Sequence, residues 1–170
     1  DFFRIDAFAN GALTSADDYG ISGFELTINN QLKGDDQTVT SGVYRSQPAR
    51  NAMREITGSF TIPRTETDQF VTWLTGKTIL AAELEITGST IDSVARRITF
   101  YLNSLQITGV SSPVSGPGIV TQTISFRLQT PVSDRTGQPT SNLTAPRSEL
   151  MIEVLNQDPW NQFRDNNREY

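Results

Sequence analysis

The sequence predicts a mainly β protein, an antiparallel β-sandwich or barrel that carries one short α-helix at about residues 65–75. Two observations support this class. At least five segments alternate apolar and polar residues with a period of two, the pattern of strands with one buried face. One further segment, TETDQFVTWLTGK, instead has the spacing of an amphipathic helix. Polar outer faces on the predicted strands favour antiparallel pairing.

The strand pattern contains one irregularity. In the stretch 98–107 the apolar positions change parity after Leu102, because the next one is Leu105. An extra residue at Asn103 and Ser104 would re-aim the strand, so the sequence predicts a β-bulge there. The apolar positions of the predicted strands are Phe24, Leu26, Ile28, Ile56, Phe60, Ile62, Leu80, Ala82, Leu84, Ile86, Ile98, Phe100, Leu102, Leu105, Ile107, Val120, Ile124, Phe126 and Leu128.

The helix is predicted from its start signal, its apolar face and its end. Thr65, with Asp68 three positions later, is typical of a helix N-cap. Gly76 supplies the stop. The apolar face consists of Phe70, Trp73 and Leu74, and we expect it to pack on the sheet.

The composition excludes several kinds of site. The chain has no cysteine, which excludes disulfides, thiolate metal sites and cysteine nucleophiles. It has no histidine, the commonest general base and zinc ligand. Its 19 acidic residues outnumber 14 Lys and Arg, and the net charge of −5 disfavours a surface that grips duplex DNA. We therefore expect no enzyme activity, no cofactor, no metal site and no insertion in a membrane.

Composition also divides the chain into three parts. Residues 1–130 form the predicted β domain, interrupted by a long polar excursion at 30–52. Residues 131–148 are a Pro-rich linker. Residues 149–170 are predicted to be a docking arm, either on the parent domain or, as we hypothesise, on an adjacent subunit. The candidate anchors of this arm are Leu150, Ile152, Val154, Trp160 and Phe163.

Four segments, in their order along the chain, resemble the major tail tube proteins of tailed bacteriophages. They are GFELTINNQL, REITGSFTIP, TETDQFVTWLTGK and TILAAELEITG, and the resemblance covers roughly residues 20–130. It implies subunits that form hexameric rings and stack into a tube around a DNA conduit. The partners it implies are further copies of the chain, other tail proteins at the tube ends, and DNA as non-specific cargo. The expected location is the virion tail, after synthesis in the host cytoplasm.

The resemblance also suggests candidate residues for each role. Lumen-facing candidates are Glu25, Glu55, Glu83 and Glu85, and ring-stacking candidates in the excursion are Val39, Val43, Tyr44 and Arg45. A tube protein of a contractile-injection or secretion system with a related fold stays open at this point. So does a non-catalytic β-sandwich module that binds carbohydrate or another surface, which would need exposed aromatic side chains.

Overall fold

A computed structural model describes residues 1–32, 52–63, 68–91, 94–113, 120–131 and 149–155. Within these ranges the chain is mainly β with one short α-helix, which confirms the predicted fold class. The strands are β1 (Phe2–Ala7), β2 (Gly23–Asn29), β3 (Glu55–Pro63), β4 (Ile79–Ile91), β5 (Val94–Ser111), β6 (Thr121–Leu128) and β7 (Leu150–Leu155). The helix α1 is Gln69–Thr75, and two 3-10 turns are Phe8–Asn10 and Ser15–Asp17.

The seven strands form one antiparallel sheet in the order β1-β4-β5-β6-β3-β2, with β7 paired to β5. β5 is long enough to hold two partners along one edge. Its residues 97–102 pair with β7, and its residues 105–111 pair with β6. β4 pairs along the other edge of β5. The strands β7 and β6 therefore lie end to end.

The predicted β-bulge is confirmed and marks the junction between β7 and β6. Leu80 pairs with Leu105 and Ala82 with Leu102, so Asn103 and Ser104 together face one residue of β4. The backbone groups of the bulge form hydrogen bonds on the other edge of β5, the one that pairs with β7 and β6. Asn103 N donates to Glu149 O at 3.0 Å, and Ser104 O accepts from Gln129 N at 2.8 Å.

The sheet curls until its two ends meet across an aromatic core. The ring of Phe3 on β1 lies 4.9 Å from that of Phe60 on β3, centroid to centroid. Residues 19–22 cross the remaining gap, because Tyr19 N donates to Phe3 O and Ser22 N donates to Thr61 O, both at 2.8 Å. The result is a half-barrel whose concave side holds the core. β1 was not among the predicted strands.

α1 covers this core with the predicted apolar face, since Phe70 and Trp73 are buried and Leu74 is half-buried. Both ends differ from the prediction. Asp68, not Thr65, is the N-cap, and Thr65 lies outside the described residues.

At the helix end, Gly76 keeps a right-handed conformation with φ −75°, and Lys77 takes the left-handed one with φ +49°. Lys77 N then donates to Leu74 O at 3.2 Å and Thr78 N to Trp73 O at 3.0 Å, the two bonds of a Schellman motif.

Candidate assembly surfaces

The outer side of β2, β3 and β6 is rich in small hydroxyl side chains. We call it the hydroxyl wall, and its members are Thr27, Thr57, Ser59, Thr61, Thr123 and Ser125. The hydroxyls of Thr61 and Thr123 lie 3.3 Å apart across the β3–β6 pair. The charged side chains on this wall are Glu25, Glu55 and Arg127, and Arg127 Nη2 donates to Gln106 Oε1 at 2.9 Å.

The outer side of β4, the first half of β5 and β7 is ionic instead. We call it the charged wall, with members Glu83, Glu85, Arg97 and Glu153. Arg97 lies between two carboxylates, 3.8 Å from Glu85 and 3.9 Å from Glu153. Because the Arg97 side chain is 43% exposed, these pairs contribute little to stability.

Tyr101 belongs to the same wall and is held in its neutral form. Burial raises the pKa of its hydroxyl to about 12, with further contributions from the charges of Glu83 and Glu153 and from the hydrogen bond to Glu153. Tyr101 Oη donates to Glu153 Oε2 at 3.2 Å. This bond adds a side-chain link between β5 and β7.

Curling of the sheet separates the four glutamates that the sequence suggested for a lumen. Glu25 and Glu55 lie on the hydroxyl wall, and Glu83 and Glu85 lie on the charged wall. The two walls enclose the same core, since Phe3 on β1, which pairs with β4, touches Phe60 on β3. The two pairs of glutamates therefore lie on opposite outer sides of the core.

Thr99 is an unsatisfied polar residue within the charged wall. It is 1% exposed, and its hydroxyl has no hydrogen-bond partner within the described ranges. Thr99→Val should raise the free energy of unfolding by about 1 kcal/mol, because it removes a desolvated, unpaired hydroxyl and keeps the β-branched shape. Chemical denaturation measures the change. Thr87→Val, at an exposed position of the same wall, should stay within about 0.5 kcal/mol of the parent; an equal gain in both variants would contradict the explanation.

Glu149 connects three segments of the chain at the bulge. Its carboxylate forms an ion pair with Arg54, which lies at the base of the excursion. It also accepts a hydrogen bond of 2.9 Å from Thr130 Oγ1, just beyond β6. Its backbone oxygen binds Asn103 N. We call this group the Glu149 clasp; it ties the start of β7 to the excursion and to the end of β6.

The clasp makes stability depend on pH. Burial favours a higher pKa for Glu149, but the hydrogen bonds from Arg54 and Thr130 and the charge of Arg54 outweigh it and hold the pKa below the ordinary 4.5. A depressed folded-state pKa stabilises the fold above about 4.5 and loses this contribution as the pH falls through the folded value. Glu149→Gln should therefore cost about 1 kcal/mol at pH 7 and progressively less below pH 4.5. Melting curves from pH 7 to pH 3 test this against Glu25→Gln; a gap that stays constant with pH would contradict it.

Several strand edges lack a strand partner within the described part of the chain. Among them are the outer edge of β2, the outer edge of β7 at residues 151–155 and the edge of β5 at residues 107–111, where β4 no longer pairs. Unpaired edges invite pairing with another chain. The first and third border the hydroxyl wall, which thus forms a four-stranded sheet, β5-β6-β3-β2, that is open on both sides.

The other candidate residues are placed only in part. Leu150 packs on the core, whereas Ile152 and Val154 are 47% and 60% exposed. In the single chain β7 pairs with β5 of the same domain. The candidates Val39, Val43, Tyr44, Arg45, Trp160 and Phe163 lie outside the described residues.

Two observations bear on metal and carbohydrate binding by the described ranges. They contain no group of three or more Asp and Glu side chains placed to hold a metal ion. Their aromatic side chains are all buried or half-buried, so they give no support to a carbohydrate platform. Among them no helix has the length and apolar character needed to cross a membrane.

Comparison with protein families tests the resemblance that the sequence segments suggested. The phage tail tube protein family matches residues 2–128. The chain belongs to the phage tail tube protein family. The resemblance seen in the sequence is thereby confirmed, and the protein is a structural component of the virion tail. A search of curated protein sequences gives no match.

Three of the solved structures that match this chain are two Hcp proteins and the tail of a GTA particle. An Hcp protein is 18% identical with a TM-score of 0.50, over 74% of this chain and 85% of that one. The tail of an empty GTA particle, refined with C6 symmetry, is 12% identical with a TM-score of 0.48, over 74% and 88%. The Hcp1 protein of the E. coli EAEC 042 pathovar is 11% identical with a TM-score of 0.48, over 74% and 84%. At 18% identity, the first of these similarities concerns the fold alone.

Proposed function

We propose that this tail tube protein assembles into rings that stack into a tube, and that the hydroxyl wall lines the lumen through which DNA passes. The observation that carries this proposal is the four-stranded sheet behind that wall, which has a polar face with few charges and, among the described residues, no strand partner on either side. We infer a purely structural role without catalysis or cofactor, and we take the ring size of six from the family resemblance.

The two free edges suggest how a ring closes. The outer edge of β2 in one subunit pairs with residues 107–111 of β5 in the next, so the sheet continues around the ring. Such head-to-tail contacts generate closed rings when the rotation between subunits closes. They also remove edges that would otherwise invite aggregation.

The chemistry of the hydroxyl wall suits a conduit for DNA. Its charged members are two glutamates and one arginine, Glu25, Glu55 and Arg127, so it carries no basic stripe. Binding to DNA requires cations that displace the counterions of phosphate. A neutral to slightly acidic wall therefore lets DNA slide without being held, whereas the charged wall lies on the other side of the core.

Ring stacking is assigned to the excursion. β2 and β3 pair down to Asn29 and Glu55, so both strands deliver the excursion at one end of the half-barrel. The Glu149 clasp holds its base through Arg54. We propose that Val39, Val43, Tyr44 and Arg45 contact the next ring and that other tail proteins cap the tube ends.

The lumen assignment is tested with two matched pairs of charge reversals in phage particles. One variant carries Glu25→Lys and Glu55→Lys, and the other carries Glu83→Lys and Glu85→Lys. Both should form tubes in negative-stain micrographs, but only the first should slow DNA ejection, most strongly at low salt, because its new cations hold phosphate. Slower ejection from the second variant alone would place the lumen on the charged wall.

Ring stacking is tested separately. Replacing residues 33–47 by a short Gly/Ser loop should leave a soluble domain, since the length of a surface loop has a small effect on stability. Negative-stain microscopy should then show single rings in place of tubes. Tubes of normal length from this variant would remove the stacking role of the excursion.

A further inference from the structure

Four aliphatic side chains form an exposed strip on three adjacent strands. Ile86 of β4 pairs with Ile98 of β5, which pairs in turn with Val154 of β7, and Ile152 lies two residues before Val154. Their exposed fractions are 48%, 39%, 60% and 47% in that order. We call these four residues the aliphatic strip.

The strip lies on the same side of the strands as the buried core, at the end of the strands where the side chains become exposed. Leu84 and Leu102 lie on the same side of β4 and β5 and are buried, at 6% and 0% exposure. The sequence predicted Ile86 to be buried with them, but Ile86 lies beyond the β1–β4 pairing, which ends at Glu85, and is exposed. The reverse side of these strands is the charged wall, and Arg96, two residues before Ile98 on the same side of β5, marks the end of the strip.

We infer that the aliphatic strip is a contact surface for a second copy of this chain. Within the described residues no strand pairs with the outer edge of β7 at residues 151–155, which borders the strip, and such an edge can be matched along its length by another extended peptide. A protein that assembles into a tail tube needs contact surfaces for further copies of itself. The inference rests on the self-assembly in the proposed function, but it requires neither DNA passage nor a particular ring size.

The size of the strip indicates whether it can hold two subunits together by itself. Its exposed area is roughly 350 Å², within the range of the largest apolar patches of single proteins. A stable pair buries about 800 Å² on each partner. The strip alone therefore does not hold two subunits together, and we expect it to be covered only where other contacts of the assembly add to it.

The absence of native cysteine allows a direct test on the full chain. Ile86→Cys places a thiol in the strip, and Thr87→Cys places one on the opposite face of the same strand, where Thr87 is exposed. Both are labelled with a maleimide in dilute monomer and in concentrated, assembled protein. On assembly, labelling of the Ile86→Cys variant should slow at least about tenfold, as at the dry centre of an interface, and that of Thr87→Cys by less than about threefold. Val154→Cys, on a separate strand, repeats the measurement should Ile86→Cys fail to fold.

Each outcome bears on the inference. Protection that rises with self-association of any kind supports it, even if no tube forms and the proposed function fails. Equal reactivity in monomer and assembly overturns it. Protection already present in dilute monomer, and lost when the chain is ended at Leu155, would show that residues 156–170 of the same chain cover the strip, which also overturns it. A chain that stays monomeric with a reactive strip at every concentration overturns both the inference and the proposed function.

Discussion

Gly58→Ala should destabilise the domain by about 3 kcal/mol or more, at the upper end of what an added methyl group costs in a packed core. Gly58 lies on β3, between β2 and β6. A Cβ there would lie 2.6 Å from Phe126 Cζ and would also collide with the backbone oxygen of Glu25. The aromatic ring could shift, but the backbone of β2 is fixed by its pairing to β3. With total stabilities of about 5–15 kcal/mol, the expected loss should lower the melting temperature markedly and reduce soluble yield.

Gly23→Ala is the matched control for this substitution. It lies on β2 of the same strand pair, and the nearest atom to a Cβ there is 3.9 Å away, an ordinary contact. Adding Phe126→Leu to Gly58→Ala should not restore full stability, because the clash with Glu25 remains. Thermal melts followed by circular dichroism compare the variants. If Gly58→Ala melts together with Gly23→Ala, the close approach of β2 and Phe126 to Gly58 is wrong.

Local patterns predicted those features that depend on neighbouring residues. Alternation predicted the outer faces of β3 and β6, and the parity change after Leu102 predicted the bulge at Asn103 and Ser104. β1 was missed although its signal is present, since Phe3 and Ile5 alternate with polar residues. The helix end was predicted wrongly because glycine usually takes the left-handed conformation at a helix end. Here Lys77, one residue after Gly76, takes that conformation.

Features that depend on contacts between residues far apart in the chain could not be predicted from the sequence. All four candidate glutamates lie on outward positions of their strands, but their division between two walls follows from the contact of Phe3 with Phe60, 57 positions apart. Ile86 is likewise exposed although its alternation continues that of Leu84, because it lies beyond the β1–β4 pairing, which ends at Glu85. Strand alternation predicts whether a side chain points into the core or outward. The curl of the sheet determines which outward-facing residues lie on the same wall.

β7 is paired to the sheet but contributes little to the buried core. The fully buried apolar side chains in the described ranges all lie between Phe3 and Leu128, so β7 supplies none of them. The family match also ends at residue 128. What β7 adds is its pairing with β5, the Glu149 clasp and the hydrogen bond from Tyr101. Removing it exposes an edge of β5 and leaves Asn103 N without its acceptor.

A chain that ends at Ser148 should therefore remain folded but assemble poorly. We expect β-type circular dichroism, a cooperative melt and a loss of a few kcal/mol in the free energy of unfolding, because the truncation removes several hydrogen bonds of about 1 kcal/mol each. Tubes in negative-stain micrographs should be fewer or shorter, because the truncation removes half of the aliphatic strip and the arm that we propose docks on an adjacent subunit. A chain that ends at Leu155 keeps β7 but lacks Trp160 and Phe163, so it separates the contribution of the strand from that of the aromatic anchors. Should the chain ending at Ser148 instead unfold as a monomer, β7 belongs to the core of its own domain and the arm has no separate role in assembly.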